Sequence, residues 1–190
     1  MTPRPELPIY LATLAPRGLE LTGERAQGWL GTSFVPDRAD VFLDPLARGA
    51  ARCGRALTDI DLQAGGRLRI TEEVEETVAK LKPTMAFQLG AMGSATTNFY
   101  NDAYRRAGWE EAARDVQRLW LDRRREKAAA AVPDDLILRS NLIGTPAMVR
   151  ERIRLYRDAG VTTLRLSPIG ETVAERLDQL GQALDLGCPA

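Results

Sequence analysis

The apolar residues change period several times along the chain, and each change marks an element. Ile9-Tyr10-Leu11-Ala12 is an unbroken apolar run of strand length. Thr13-Leu14-Ala15-Pro16 ends it, with Pro16 fixing φ and removing a backbone donor where a helix can begin. Leu19, Gly23 and Ala26 then recur at i, i+4 and i+7, with Glu20 and Glu24 on another side, which predicts a helix stopping at Gly28 as its C′ glycine. Trp29-Leu30-Gly31 reads as the next strand. Parallel strands joined this way take a right-handed crossover, so the Thr13–Arg17 and Gly31-Thr32-Ser33 loops share the carboxyl edge of the sheet. In parallel α/β folds that edge carries the ligand site.

Asp44-Pro45 offers an N-cap and a first-turn proline, followed by Leu46, Ala50 and Cys53 facing inward. Ile60, Leu62, Ala64, Leu68 and Ile70 alternate about Gly65-Gly66, which predicts a third strand with a bulge or bend at the glycines. Thr71 then caps a helix striped by Val74, Val78 and Leu81, and Pro83 ends it. From Pro83 to Val132 no run alternates, so residues 83–131 read as a helical insertion that includes one long helix from Trp109 to Ala131. The charge run Asp122–Lys127 reads as a solvated face of that helix, not a nucleic-acid patch. Thr145-Pro146 starts another helix, with Val149, Ile153 and Tyr156 buried and Ala159-Gly160 as the stop. Val161–Leu166 is a strand of high β-propensity, and the closing helix carries Val173, Leu177, Leu180 and Leu184 on one stripe.

Four strands, near residues 8–12, 28–31, 60–70 and 161–166, each precede a helix. A closed (β/α)8 barrel needs eight strands and about 250 residues, so the expected fold is α/β: half of a TIM barrel, with about four parallel strands. The expected organisation is one partial barrel domain over residues 1–190 with its insertion at 83–131. Half a barrel leaves two open edges and an apolar sheet face, which predicts a homo-oligomer or a separate N-terminal half-barrel as partner.

Composition narrows the class. A chain of 190 residues, 44% hydrophobic and 27% charged, is long enough to bury a core. Its 26 basic and 26 acidic side chains cancel, so no overall field draws it to nucleic acid or a membrane. Cys53 and Cys188 are its only cysteines and histidine is absent, which argues against a disulfide framework, a metal site and imidazole catalysis. Met1–Pro5 lacks the apolar core of a secretory signal, and no run of about 18 apolar residues exists, so a cytoplasmic location is expected.

The two carboxyl-edge loops offer free amides, a helix N-terminus and the hydroxyls of Thr13, Thr32 and Ser33, a set suited to a phosphate. The alternative is that small residues sit there only because tight turns need them. Arg165 alternates with Leu164 and Leu166 and shares a face with Ser167. It either meets a substrate anion or pairs with a helix carboxylate; charged side chains within sheets are ordinarily paired, which favours the second.

The segments PIYLATLAPRGLELTGERAQGWLGTSF, LKPTMAFQLGAMGSATTNFYNDAYRRAGW and NLIGTPAMVRERIRLYRDAGVTTLRLSPIG carry a resemblance over nearly the whole chain. They resemble the C-terminal part of the luciferase-like monooxygenase superfamily, in its coenzyme F₄₂₀-dependent oxidoreductase branch. The resemblance implies strands five to eight of a (β/α)8 barrel and hydride transfer between a small-molecule substrate and F₄₂₀, with FMN as the alternative cofactor. It also implies a cofactor phosphate held by the loops after the fifth and sixth strands, here Thr13, Leu14 and Ala15 with Gly31, Thr32 and Ser33. Ala15 and Gln27 stand where the family more often has glycine and aspartate. The family's acid–base residues lie mainly in the N-terminal half, so no residue here inherits a catalytic role and the chain alone is expected to be inactive. A non-catalytic phosphate-ligand or interaction module is the competing reading.

Overall fold

The structure is a computed structural model and describes residues 7–94 and 96–188. The segment Met1–Pro5 lies outside the described residues. One parallel sheet organises them. Its strands are β1 (Tyr10–Leu11), β2 (Gly28–Leu30), β3 (Asp61–Ile70), β4 (Leu142–Gly144) and β5 (Thr163–Pro168). Between them lie α1 (Pro16–Arg25), α2 (Asp40–Arg52), α3 (Val74–Ala91), α4 (Phe99–Tyr104), α5 (Glu110–Leu121), α6 (Arg125–Ala130), α7 (Asp134–Ser140) and α8 (Pro146–Asp158). Helix α9 (Val173–Gly187) follows β5.

The long strand β3 is the axis. Gln63 is registered with both Leu30 and Thr163, and Leu68 with both Leu142 and Pro168. A residue has one neighbour on each side, so β5 occupies one edge of β3 while β2 and β4 share the other in series. The register from Gln63 to Leu68 against β5 is continuous, so the bulge expected at Gly65-Gly66 is absent. Its absence follows from parity: Leu62, Ala64, Leu68 and Ile70 all stay on the buried face, whereas one extra residue would shift the pattern by one. The glycines serve close approach, since a Cβ on Gly65 would strike the Arg165 carbonyl oxygen.

One face of the sheet is dry. Trp29, Leu62, Ala64 and Leu68 pack against Leu19 of α1, Leu46 of α2, Val149 and Tyr156 of α8 and Ala183 of α9. The opposite face was expected to be apolar, and it is polar. Tyr10, Asp61, Gln63, Arg67, Thr163 and Arg165 alternate onto it and are at most partly buried. At its amino end Asp61 accepts hydrogen bonds from Tyr10 Oη at 2.8 Å, Gln63 Nε2 at 2.8 Å and Thr162 Oγ1.

Helices fill most of residues 83–131 and enclose a second core of Val78, Met85, Leu89, Tyr104, Val116 and Ile137. Several local expectations change. Pro83 lies inside α3, which runs on to Ala91 because Met85, Ala86 and Leu89 are buried along it. Asp44-Pro45 does not start α2: the helix begins at Asp40, continues from a 3-10 turn at Pro36–Arg38, and leaves Cys53 exposed beyond its end. The long helix expected from Trp109 breaks at Asp122–Arg124, where Arg123 has φ of 60°. Gly28 is a strand residue, not a helix stop; α1 ends at Arg25, and a Cβ at Gly28 would strike the Tyr10 ring. Strand β4 was not anticipated.

Candidate functional site

On the edge of β3 shared by β2 and β4, β2 pairs with Asp61–Gln63 and β4 with Leu68–Ile70, which leaves residues 64–67 without a strand beside them. A cleft of about 370 Å³ opens there. Its walls come from the loop after β2, from α3 and α4, from the turn between α7 and β4, and from the carboxyl half of β5. Asn141 substitutes for the missing strand: its Oδ1 accepts from the Arg67 amide at 2.9 Å.

The loop Gly31-Thr32-Ser33 is held from both ends. The Gly31 amide donates to the Gln63 carbonyl at 2.6 Å, so Thr32 and Ser33 are the residues left to meet a ligand. Behind them Phe34 and Val35 are fully buried. Next comes Asp37, which accepts from Arg152 Nη1 at 2.6 Å and Arg139 Nε at 3.4 Å. Burial works to raise the Asp37 carboxyl, but Arg152 and Arg139 outweigh it and hold the group below the ordinary carboxylate range. Ser33 has φ of 56°, a left-handed conformation that costs a non-glycine residue about 1–2 kcal/mol. Such outliers concentrate where a site over-determines the backbone. The Tyr104 phenol, raised by burial, faces Ser33 and Ser140 and stays protonated at neutral pH.

The cleft is lined by Arg67 and Arg165 and by no aspartate, glutamate or lysine. Neither guanidinium has a carboxylate partner or a hydrogen bond among the described residues. Arg165 was expected to pair with a helix carboxylate, and it does not. It projects from the exposed face of β5, opposite the dry face covered by α1, α2, α8 and α9, into a cleft whose α3 and α4 walls present no carboxylate.

Of the six residues read as phosphate-binding, Gly31, Thr32 and Ser33 line this cleft and Thr13, Leu14 and Ala15 do not. Thr13 Oγ1 lies 2.8 Å from Thr22 Oγ1, and the Thr13 carbonyl accepts from Trp29 Nε1 at 3.0 Å. The Leu14 carbonyl accepts from Arg106 Nη2 at 2.7 Å. Ala15 borders a smaller cleft with Thr96, Asn98 and Arg105. Gln27 is not idle in its departure from the family pattern: its Oε1 accepts from the Ile9 amide at 2.8 Å and caps the start of β1. Sequence reasoning missed Arg67, Ser140 and Asn141; the one available signal was that Arg67 falls on the same parity as Asp61 and Gln63, opposite the apolar positions.

The cleft therefore offers two guanidiniums, several hydroxyls and the amide side chains of Gln88 and Asn141 to something anionic. Among the described residues no group of side chains is arranged to hold a metal ion, and no helix is long and apolar enough to cross a membrane.

Comparison with known proteins places the chain in a family. The family profile for luciferase-like monooxygenases matches residues 1–163. A Mycobacterium tuberculosis protein named as a coenzyme F₄₂₀-dependent oxidoreductase is 32% identical over 163 residues, 85% of this chain and 47% of that one. The 5,10-methylenetetrahydromethanopterin reductase of Methanopyrus kandleri is 26% identical over 178 residues, 93% of this chain and 49% of its own. The chain thus spans about half the length of these curated relatives. Among solved structures, the coenzyme F₄₂₀-dependent tetrahydromethanopterin reductase of M. kandleri superposes with a TM-score of 0.69 at 24% identity, covering 94% of this chain and 50% of that one. An F₄₂₀-dependent secondary alcohol dehydrogenase holding an F₄₂₀–acetone adduct gives 0.65 at 16% identity, covering 98% and 51%.

Proposed function

Because the chain belongs to the luciferase-like monooxygenase family, we propose that it is the phosphate-holding half of an oxidoreductase that moves a hydride between a small-molecule substrate and a deazaflavin of the F₄₂₀ type, with FMN as the alternative. The observation that carries this reading is the acid-free cleft at the carboxyl end of β2 and the middle of β3, with Thr32 and Ser33 facing it from a strained loop. A cleft with two free arginines and no carboxylate fits a phosphate ester and rejects a cation.

When bound, the deazaflavin or flavin supplies the ring atom that accepts or gives the hydride. This chain's residues do the rest of what we assign to it. Thr32 and Ser33 donate to the phosphate, Asn141 keeps the gap in the sheet open, and the pinned Phe34–Asp37 segment stops the loop from drifting. The buried Tyr104 phenol holds its proton and orients Ser33 and Ser140. The ring-side wall and the proton-transfer groups come from a second (β/α) half, on a further segment or another chain, which also closes the open edges at β1 and β5. Helix α9 offers such a partner an apolar stripe: Val173 is 71% exposed, Leu177 62% and Leu184 70%. A non-catalytic phosphate-ligand module is the second reading, favoured by the lack of any carboxylate along the cleft.

Fluorescence titration of F₄₂₀ and FMN tests the placement. A few charge-assisted bonds set against the several kcal/mol cost of association should leave the isolated chain with a Kd of about a millimolar. Thr32→Ala with Ser33→Ala should weaken binding by about tenfold or more; unchanged binding would put the phosphate elsewhere. Supplying an N-terminal half from a close relative should tighten binding and permit hydride transfer. Tight binding without transfer, with that half docked, would favour the non-catalytic reading.

A further inference from the structure

Arg67 and Arg165 are more than the cofactor phosphate requires. Arg67 is registered with Ser167 and Arg165 with Gly65, so the two arginines are diagonal neighbours on adjacent strands. With strands about 4.8 Å apart and a rise of about 3.3 Å per residue, their Cα atoms lie roughly 8 Å apart on one face, close enough for both forks to converge on one oxyanion. Only a small side chain stands beside them, because the position facing Arg165 is glycine and the one facing Arg67 is Ser167. The loop Gly31–Ser33 follows β2, which lies on the opposite edge of β3 from β5. Arg165 therefore starts two strand spacings, about 10 Å, from that loop's strand, a span wider than one phosphate. The floor between the two is Gly65 and Gly66, which carry no side chain into the cleft.

We propose that Arg67 and Arg165 form a second anion subsite that takes a carboxylate or phosphoryl group of the substrate, separate from the donors at Thr32 and Ser33. The proposal rests on the reading above that the cofactor phosphate sits at those two residues. It narrows the substrate class to molecules bearing a carboxylate or phosphoryl group. Planar guanidiniums grip such groups through two parallel N–H···O bonds, which a lysine in the same place cannot reproduce.

The test uses inorganic phosphate and FMN as separate probes on the full chain. Binding is followed by phosphorus NMR for the first and fluorescence for the second, in the wild type, the pair Arg67→Gln/Arg165→Gln and the pair Thr32→Ala/Ser33→Ala. With FMN at saturation, the arginine pair should lose phosphate binding by about tenfold or more while FMN affinity stays within about twofold. The hydroxyl pair should show the reverse. If the arginine pair weakens FMN and phosphate together, the arginines hold the cofactor's own phosphate, which overturns the second subsite and leaves the cofactor reading intact. If phosphate binding ignores the arginines, the proposal also fails. If neither F₄₂₀ nor FMN binds the wild type but phosphate binding depends on the arginines, the cofactor reading fails and the arginine anion site stands. Both side chains are exposed, so the variants should retain the wild-type circular dichroism; should the glutamine pair misfold, Arg67→Lys/Arg165→Lys carries the test, with phosphate affinity expected to fall despite the retained charge.

Discussion

Arg106 donates through Nη1 to the carbonyl of Val41 at 3.2 Å, the one α2 carbonyl whose helical donor would have been the nitrogen of Pro45. A proline inside a helix removes the bond to the residue four positions earlier. Here a guanidinium from the insertion replaces it. The same side chain bonds the Leu14 carbonyl at 2.7 Å and Asp102 at 2.9 Å and lies over the Phe42 ring, so it ties three parts of the chain together. Arg106→Met should cost about 2–3 kcal/mol, since two carbonyls lose a charged donor. Urea unfolding monitors the loss; a change within 0.5 kcal/mol, the usual scatter for surface substitutions, would show the bonds to be incidental.

Acid should destabilise the fold through Asp61. Hydrogen bonds from Thr162, then Gln63, and from Tyr10 hold its carboxyl below the ordinary range, against a smaller opposing effect of burial. A depressed folded-state pKa means that the stabilisation is complete above the unfolded value of about 3.9 and is lost as pH falls through the lower folded value. Partial exposure screens the effect, so its size is modest. Asp61→Asn should flatten the fall in melting temperature between about pH 5 and pH 2. A wild-type and a variant curve that run parallel would remove Asp61 from the account.

Two glycines should respond in opposite directions to alanine. Helices α1 and α2 touch backbone to backbone at Gly23, where a Cβ would strike the Leu46 carbonyl oxygen. Gly23→Ala should cost about 3 kcal/mol, because backbone cannot step aside as a side chain can. Gly181, inside α9, has nothing within 4 Å of an added Cβ. Gly181→Ala should stabilise by about 0.5–1 kcal/mol through helix propensity alone. Thermal denaturation of both decides.

Tyr156 carries a buried hydroxyl with no partner among the described residues, packed beside Phe34. Tyr156→Phe keeps the ring and removes the unsatisfied group, so stability should rise by about 1 kcal/mol. A loss of stability would reveal a bonding partner for that hydroxyl.

Periodicity and capping made much of the fold legible. Alternation located β3 and β-propensity located β5, and Thr145-Pro146 marked the start of α8, where Thr145 accepts from the Met148 amide. Strand β4 is three residues long, too short to show any period. Pro45 and Pro83 misled because their local penalty is outweighed by tertiary contacts that no window of sequence contains. In α9 the stripe of Val173, Leu177 and Leu184 was visible, but a stripe says only that a face is apolar, not that something within the chain covers it. The cleft was half legible. Small residues after β2 announced the loop, whereas the freedom of Arg67 and Arg165 depends on where every carboxylate of the chain ends up.

The polar face of the sheet sets how any closure against a second half would look to a calorimeter. Burying Asp61, Gln63, Thr163 and the two arginines releases little water from apolar surface, and polar burial changes heat capacity in the opposite sense to apolar burial. The negative heat-capacity change of docking would then come from the flank of α9, with the sheet face partly cancelling it. Such an association would weaken with added salt, because the charges of Asp61 and the two arginines would be screened, and would vary little with temperature.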